Sequence, residues 1–153
     1  MSQPVPHPID LGFSVADGEK IELSYEVQTL RVSFLDWQEK QVSFLCRDTL
    51  ALRWQEAGYT LSDQERDDST YEVIDSAWLR QHKDQSMTWE GPTFHHYKLN
   101  FNAAGILEMI CSNIERIAEP GAPPNSRPPS QLPASLEVQS PDSQRTPSSG
   151  GCG

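Results

Sequence analysis

The chain is poor in the residues from which small sites are most often built. Its 153 residues include three cysteines, Cys46, Cys111 and Cys152, an odd number with no CxxC spacing. Neither a disulfide framework nor a zinc site is supported. No GxSxG, HExxH, glycine-rich phosphate loop or EF-hand spacing occurs, so no catalytic residue, metal or cofactor is assigned. No apolar run approaches the ~18 residues of a membrane span. The N-terminus, MSQPVPHPID, lacks the basic region and apolar core of a signal peptide, and the terminal GGCG does not fit a prenylation pattern. The compartment expected is the cytoplasm.

Positive charge is scarce as well. Residues 1–117 carry nineteen Asp and Glu against ten Lys and Arg, and the whole chain has a formal net charge of −10. Such a surface repels phosphate backbones and anionic lipid heads, so neither a nucleic acid nor a membrane is expected as a partner. A basic protein is the favoured partner class. Oligomeric state is not legible. From Glu119 onward aromatic residues are absent, and eight of the twelve prolines crowd together with serines. That composition cannot bury enough apolar surface to offset its ordering entropy. The expected organisation is one folded domain at 8–117, followed by a disordered Pro/Ser-rich tail at 118–153.

What is present is alternation. In Thr29 to Gln55, TLRVSFLDWQEKQVSFLCRDTLALRWQ, apolar side chains fall on every second residue. Pairing Phe34 with Val42 and Val32 with Phe44, around a turn centred on Trp37-Gln38-Glu39, keeps both apolar sets on one face. A slip of one residue would put one set in water. The same parity runs on through Leu50, Leu52 and Trp54, longer than an ordinary strand, and Asp48 interrupts it, which places a bulge or a sheet corner there. Ser43, on the opposite parity, is expected to face solvent.

Two more hairpins follow from the same logic. Ile9, Leu11, Phe13 and Val15 alternate, as do Ile21, Leu23, Tyr25 and Val27, with Ala16-Asp17-Gly18 as a three-residue loop and Gly18 left-handed. His95 to Ser112 repeats it, with Ala103-Ala104-Gly105 as the loop, Gly105 left-handed, and Phe101 facing Leu107. Gln28-Thr29 reads either as a tight reversal pairing Tyr25 with Val32 or as a bulge. Tyr71 to Ile74 reads as a short strand, and Asp75 or Ser76 can cap a helix over Ala77 to Asp84, with Trp78 and Leu79 packed on the sheet. The fold class expected is α+β, a meandering, curled antiparallel sheet of about six or seven strands with one short helix.

Few residues stand out as chemical. His95 and His96 are adjacent on a strand and so point to opposite faces, which prevents them from holding one ion together. With Asp48 they are the candidates for a pocket inside the curled sheet. The acidic run Asp63, Glu65, Asp67, Asp68 lacks the glycine and terminal glutamate of a calcium loop, and its functional reading is an electrostatic docking patch. Trp54 and Trp78 have structural places. Trp37, in a turn, and Trp89, in a loop, do not, and exposed aromatics are enriched at interface hot spots.

The strings Val42-Ser43-Phe44 through Leu52-Arg53-Trp54, Tyr71-Glu72-Val73 with Asp75-Ser76-Ala77-Trp78-Leu79, and His96-Tyr97-Lys98-Leu99-Asn100-Phe101 with Gly105-Ile106-Leu107-Glu108 resemble a pattern in small uncharacterised bacterial α+β proteins. Some of these are similar in size and style to immunity proteins of toxin systems. The resemblance covers about residues 30–112 and carries no catalytic residue. It implies a non-catalytic, cytoplasmic protein-binding module, an antidote that masks a basic toxin domain. The alternatives are a small ligand-binding protein or enzyme with a pocket in the sheet, and a housekeeping protein of no resolvable activity.

Overall fold

The computed structural model describes residues 3–56, 61–85 and 91–118. Trp89, Cys152 and the Pro/Ser-rich tail from Glu119 onward lie outside them. The elements run β1 (Val5–Pro8), β2 (Glu19–Glu26), β3 (Thr29–Leu35), β4 (Gln41–Arg47), β5 (Ala51–Glu56), β6 (Thr70–Ile74), α1 (Ala77–Gln85), β7 (His95–Phe101), β8 (Gly105–Cys111) and β9 (Asn113–Ile117). All strand pairs are antiparallel. The antiparallel α+β character holds, but among the described residues nine strands form two open sheets, β1-β6-β7-β8-β5 and β2-β3-β4-β9, rather than one curled meander of six or seven. Among the described residues no helix is long and apolar enough to cross a membrane.

The central hairpin has the register that its parity dictates. Phe34 faces Val42, Val32 faces Phe44 and Leu30 faces Cys46, and all six are buried. Asp36 Oδ1 accepts the N–H groups of Gln38 and Lys40 and holds the turn. Ahead of it, β2 and β3 are joined by a two-residue reversal with both central residues, Val27 and Gln28, at positive φ (42° and 60°). These are the signs of a type I′ turn. The reversal pairs Tyr25 with Leu30, not with Val32. Neither residue is a usual choice for such a turn, which is why its register could not be read from turn chemistry.

Asp48 marks a sheet corner. The strand pair β4–β9 continues as β5–β8 in the other sheet: Arg47 faces Asn113, then Ala51 faces Ile110. Three residues on one strand thus oppose two on the other, a bulge that lets the ribbon turn. Asp48 takes φ 50°, its Oδ2 accepts the Ser112 hydroxyl at 2.5 Å, and Ser112 N–H donates to the Arg47 carbonyl. Thr49 Oγ1 donates to the Cys46 carbonyl. The corner carries apolar parity into the second sheet, so Leu52 faces Met109 and Trp54 faces Leu107. On that sheet's free edge both stay about 40% exposed (40% and 38%).

The first expected hairpin does not form. β1 pairs with β6, and the chain then crosses irregularly to the second sheet. The Asp10 carboxylate accepts Gly12 N–H, and Gly12 takes φ 77°. Leu11, Phe13 and Val15 still face inward: Phe13 stacks on Phe44 at 4.8 Å and Val15 is buried. Their alternation records packing against the core, not strand pairing. Gly18 is not left-handed. Asp17 takes that conformation (φ 51°) and exchanges hydrogen bonds with Asn102, while a Cβ on Gly18 would meet Phe101 Cδ1 at 2.8 Å.

The β7–β8 loop has the expected three residues but sits one residue earlier, which shifts the register by two. Asn102-Ala103-Ala104 is the loop, Phe101 faces Gly105 and Leu99 faces Leu107. A shift by two keeps every side chain on its face, so the core survived the error. Gly105 opens β8 with φ 159°, and its role is close approach: a Cβ would overlap the Gln55 carbonyl oxygen and lie 2.6 Å from Trp54 Cζ2. Gly105→Ala is therefore expected to cost about 1–3 kcal/mol by overpacking, and Gly105→Asn no less. Urea unfolding of the two variants checks this, and an Asn variant markedly more stable than the Ala variant would restore the left-handed-turn explanation.

Between the sheets lie Val15, Leu30, Val32, Phe34, Val42, Phe44, Cys46, Leu99, Phe101, Leu107, Met109 and Cys111. Cys46 is a free thiol, 3.0 Å from the Met109 sulfur. Its hydrogen bond with Cys111, together with burial, pushes it up and keeps it protonated. These side chains occupy the space between the sheets.

Candidate functional site

Two concave regions carry chemistry, and both lie away from the core. The first is a cleft of about 580 Å³ bordered by Pro4, Pro6, Ser76, Trp78, His96 and Glu108 among others. Pleat alternation puts its floor on the outer face of the five-stranded sheet, because Leu99, Leu107 and Met109 take the inner face. Arg53, Glu108 and Lys98 stand directly opposite one another on β5, β8 and β7. The Arg53 guanidinium bonds Glu108 through two nitrogens, with Nη2 to Oε1 at 2.9 Å. It also lies 4.5 Å over the Trp78 ring. Lys98 Nζ is 2.5 Å from Glu65 Oε2, with both side chains nearly buried.

Helix α1 forms one wall. Asp75 (φ 55°) turns the chain sharply out of β6, and Ser76 caps the helix, its Oγ accepting Leu79 N–H at 3.1 Å. The helix exceeds the expected span by one residue, through Gln85. Ser76 Oγ also lies 2.7 Å from His96 Nδ1. Trp78 meets the His96 ring edge-on at 5.0 Å. His96 is only 3% exposed, and its Nε2 faces Glu108 Oε1 at 3.3 Å without an aligned hydrogen bond. Burial alone would raise the Glu108 carboxyl. The His96 ring that faces it and the Arg53 guanidinium that bonds it outweigh burial and hold it at about 2, so it is an anion at any ordinary pH.

The second region is a groove of about 540 Å³ beside the tip of the β3–β4 hairpin, lined by Asp17, Glu19, Lys20, Leu35, Asp36, Trp37 and Glu39. Trp37 is 61% exposed.

These geometries redistribute the residues singled out in the sequence. Of the pocket candidates, His96 lines the first cleft. Asp48 is tied into the sheet corner, and His95 pairs with Glu72 at 2.5 Å and stacks on Tyr97. The four side chains of the acidic run have different surroundings. Glu65 turns inward to Lys98, Asp68 pairs with Arg66, and Asp63 and Asp67 remain exposed. Trp37 is exposed, and Trp89 lies outside the described residues. Arg53, Lys98 and Glu108 were not singled out, and Ser76 only as a helix cap. The one available signal was the charge on parity positions opposite the core, which reads as a solvated face until α1 and the 61–69 segment are seen to cover it.

Comparison with known protein families, with characterised proteins and with solved structures gives no match for this chain.

Proposed function

We propose that this chain is a protein-binding module that docks a basic surface of its partner at the tip of the β3–β4 hairpin. The observation that carries the reading is Trp37, 61% exposed beside a groove to which Asp17, Glu19, Asp36 and Glu39 contribute carboxylates against the single cation of Lys20. An exposed indole ringed by one sign of charge offers both parts of an interface. The aromatic supplies desolvated contact area, and the carboxylates steer and orient a basic partner. The net charge of −10 extends that field over the molecule. Binding there needs no catalytic group. The partner class this reading proposes is a basic toxin domain, the reading that the resemblance to immunity-like proteins suggests.

The test begins with capture of the partner from the native host and continues by surface plasmon resonance with the purified pair. Trp37→Ala is expected to weaken binding by about 2 kcal/mol or more, roughly thirtyfold, mainly through faster dissociation. Glu19→Lys combined with Glu39→Lys, which leaves the turn-holding Asp36 in place, should slow association. The wild-type on-rate should fall steeply as salt passes ~0.1 M. An on-rate indifferent to salt, or a captured partner whose contact surface is acidic, would remove this reading.

A further inference from the structure

We propose that the cleft beside α1 is a second, chemically active site, in which the Ser76 hydroxyl is a nucleophile toward small uncharged carboxylic esters. The inference is independent of the docking surface, since it rests on other residues.

The relay is set by hydrogen-bond bookkeeping. Ser76 Oγ already accepts Leu79 N–H, so its own proton is free to point at His96 Nδ1, 2.7 Å away. With Nδ1 as acceptor, the ring's own proton sits on Nε2, and Nε2 faces the Glu108 carboxylate at 3.3 Å. A hydroxyl, an imidazole and a carboxylate thus stand in the order of the Ser-His-acid relay, with the two ring nitrogens exchanged. The surroundings suit it. Asp75, held at φ 55°, makes a strand-to-helix elbow just before the serine, and the first two N–H groups of a helix have no acceptor within it. Ala77 and Trp78, the residues that carry these groups in α1, both border the cleft, and such donors are the kind that receive a carbonyl oxygen as it gains charge. His96, almost wholly buried with Nε2 lacking an aligned partner, is otherwise a costly group to keep.

The ligand class follows from the charges. Arg53 is neutralised by Glu108 and Lys98 by Glu65, so no ionic group is left over to receive a charged substrate. Trp78, Pro4, Pro6 and Val73 supply apolar wall. A volume of about 580 Å³ is of the size that holds a small organic molecule.

The chemistry balances without a cofactor. Ser76 Oγ forms a bond to the ester carbonyl carbon while its proton passes to His96 Nδ1. The tetrahedral adduct collapses, the acyl–oxygen bond breaks, and the leaving alcohol takes that proton. Water then adds to the acyl-serine, giving one proton to Nδ1, and Ser76 recovers it as the carboxylic acid departs.

The experiment uses the full chain, folded, with a fluorophosphonate probe. The serine oxygen displaces fluoride from phosphorus, leaving a stable adduct that mass spectrometry counts and locates. One adduct on Ser76 is expected, absent from urea-unfolded protein. His96→Gln, which keeps the helix cap, should slow labelling at least about 100-fold. p-Nitrophenyl acetate should be hydrolysed by wild type and not by Ser76→Ala. Folded wild-type protein that gains no adduct in excess probe, adducts that form as fast on other serines such as Ser14 or Ser112, or labelling unchanged in the His96 variant would each overturn the proposal.

Discussion

Phe44→Ala is expected to lower the unfolding free energy by about 3–5 kcal/mol, the range for removing a buried phenylalanine, which is a large part of the ~5–15 kcal/mol that holds a domain of this size together. The ring is fully buried. It faces Val32 across the strand pair and stacks on Phe13 at 4.8 Å with planes 13° apart. Its loss would leave a void between rigid sheets and strand the ring that crosses over from the N-terminal segment. Ser43→Ala, one residue away on the other face, is expected to cost about 1 kcal/mol. That is more than the near-zero cost its parity suggested, because Ser43 is also buried and bonds the Ser33 hydroxyl at 2.9 Å. Urea unfolding with an unchanged slope is the measurement. Equal losses at the two positions would contradict the face assignment.

The contrast between Phe44 and Ser43 shows what the sequence made legible. Period-two alternation fixes which face a side chain takes, and it did so correctly for Phe34, Val42, Phe44, Leu99, Leu107 and Met109 even where the β7–β8 register was off by two. It says nothing of what covers the other face. Ser43, Lys98, Asn100 and Glu108 have solvent parity and are nonetheless buried. The last three lie beneath α1 and the 61–69 segment, elements distant in sequence that no local pattern links to them. Nor does alternation identify a partner strand. Leu11 and Phe13 alternate like a strand yet pair with none, because β6 takes β1 and β3 takes β2. Asp48 was legible as an interruption. The hydrogen bond it accepts from the Ser112 hydroxyl, which ties it into the sheet corner, joins residues 64 apart. The candidate sites follow the same rule: Trp37 was legible because a turn exposes it locally, whereas the Ser76, His96 and Glu108 cluster is assembled from three elements.

Glu65→Ala is the second large effect expected, about 3–5 kcal/mol of lost stability. In the sequence Glu65 sits amid an acidic run and looks like one surface charge among four. In the fold its side chain is 7% exposed and 2.5 Å from Lys98 Nζ, itself 10% exposed. It also accepts the Ser62 hydroxyl at 3.1 Å. Removing the carboxylate leaves an ammonium nearly buried without its counter-charge, which costs far more than an exposed pair contributes, ~0–1 kcal/mol. The double variant Glu65→Leu with Lys98→Met removes both charges at similar volume. It should recover most of the loss, since the desolvation penalty disappears with the pair. A double-mutant cycle in urea separates the two cases, and a Glu65→Ala variant within about 0.5 kcal/mol of wild type would return Glu65 to the surface. The result also bears on docking. Charge reversal at Asp63 and Asp67, which are exposed, tests steering of a partner, whereas reversal at Glu65 would disturb the fold and report on binding only through that damage.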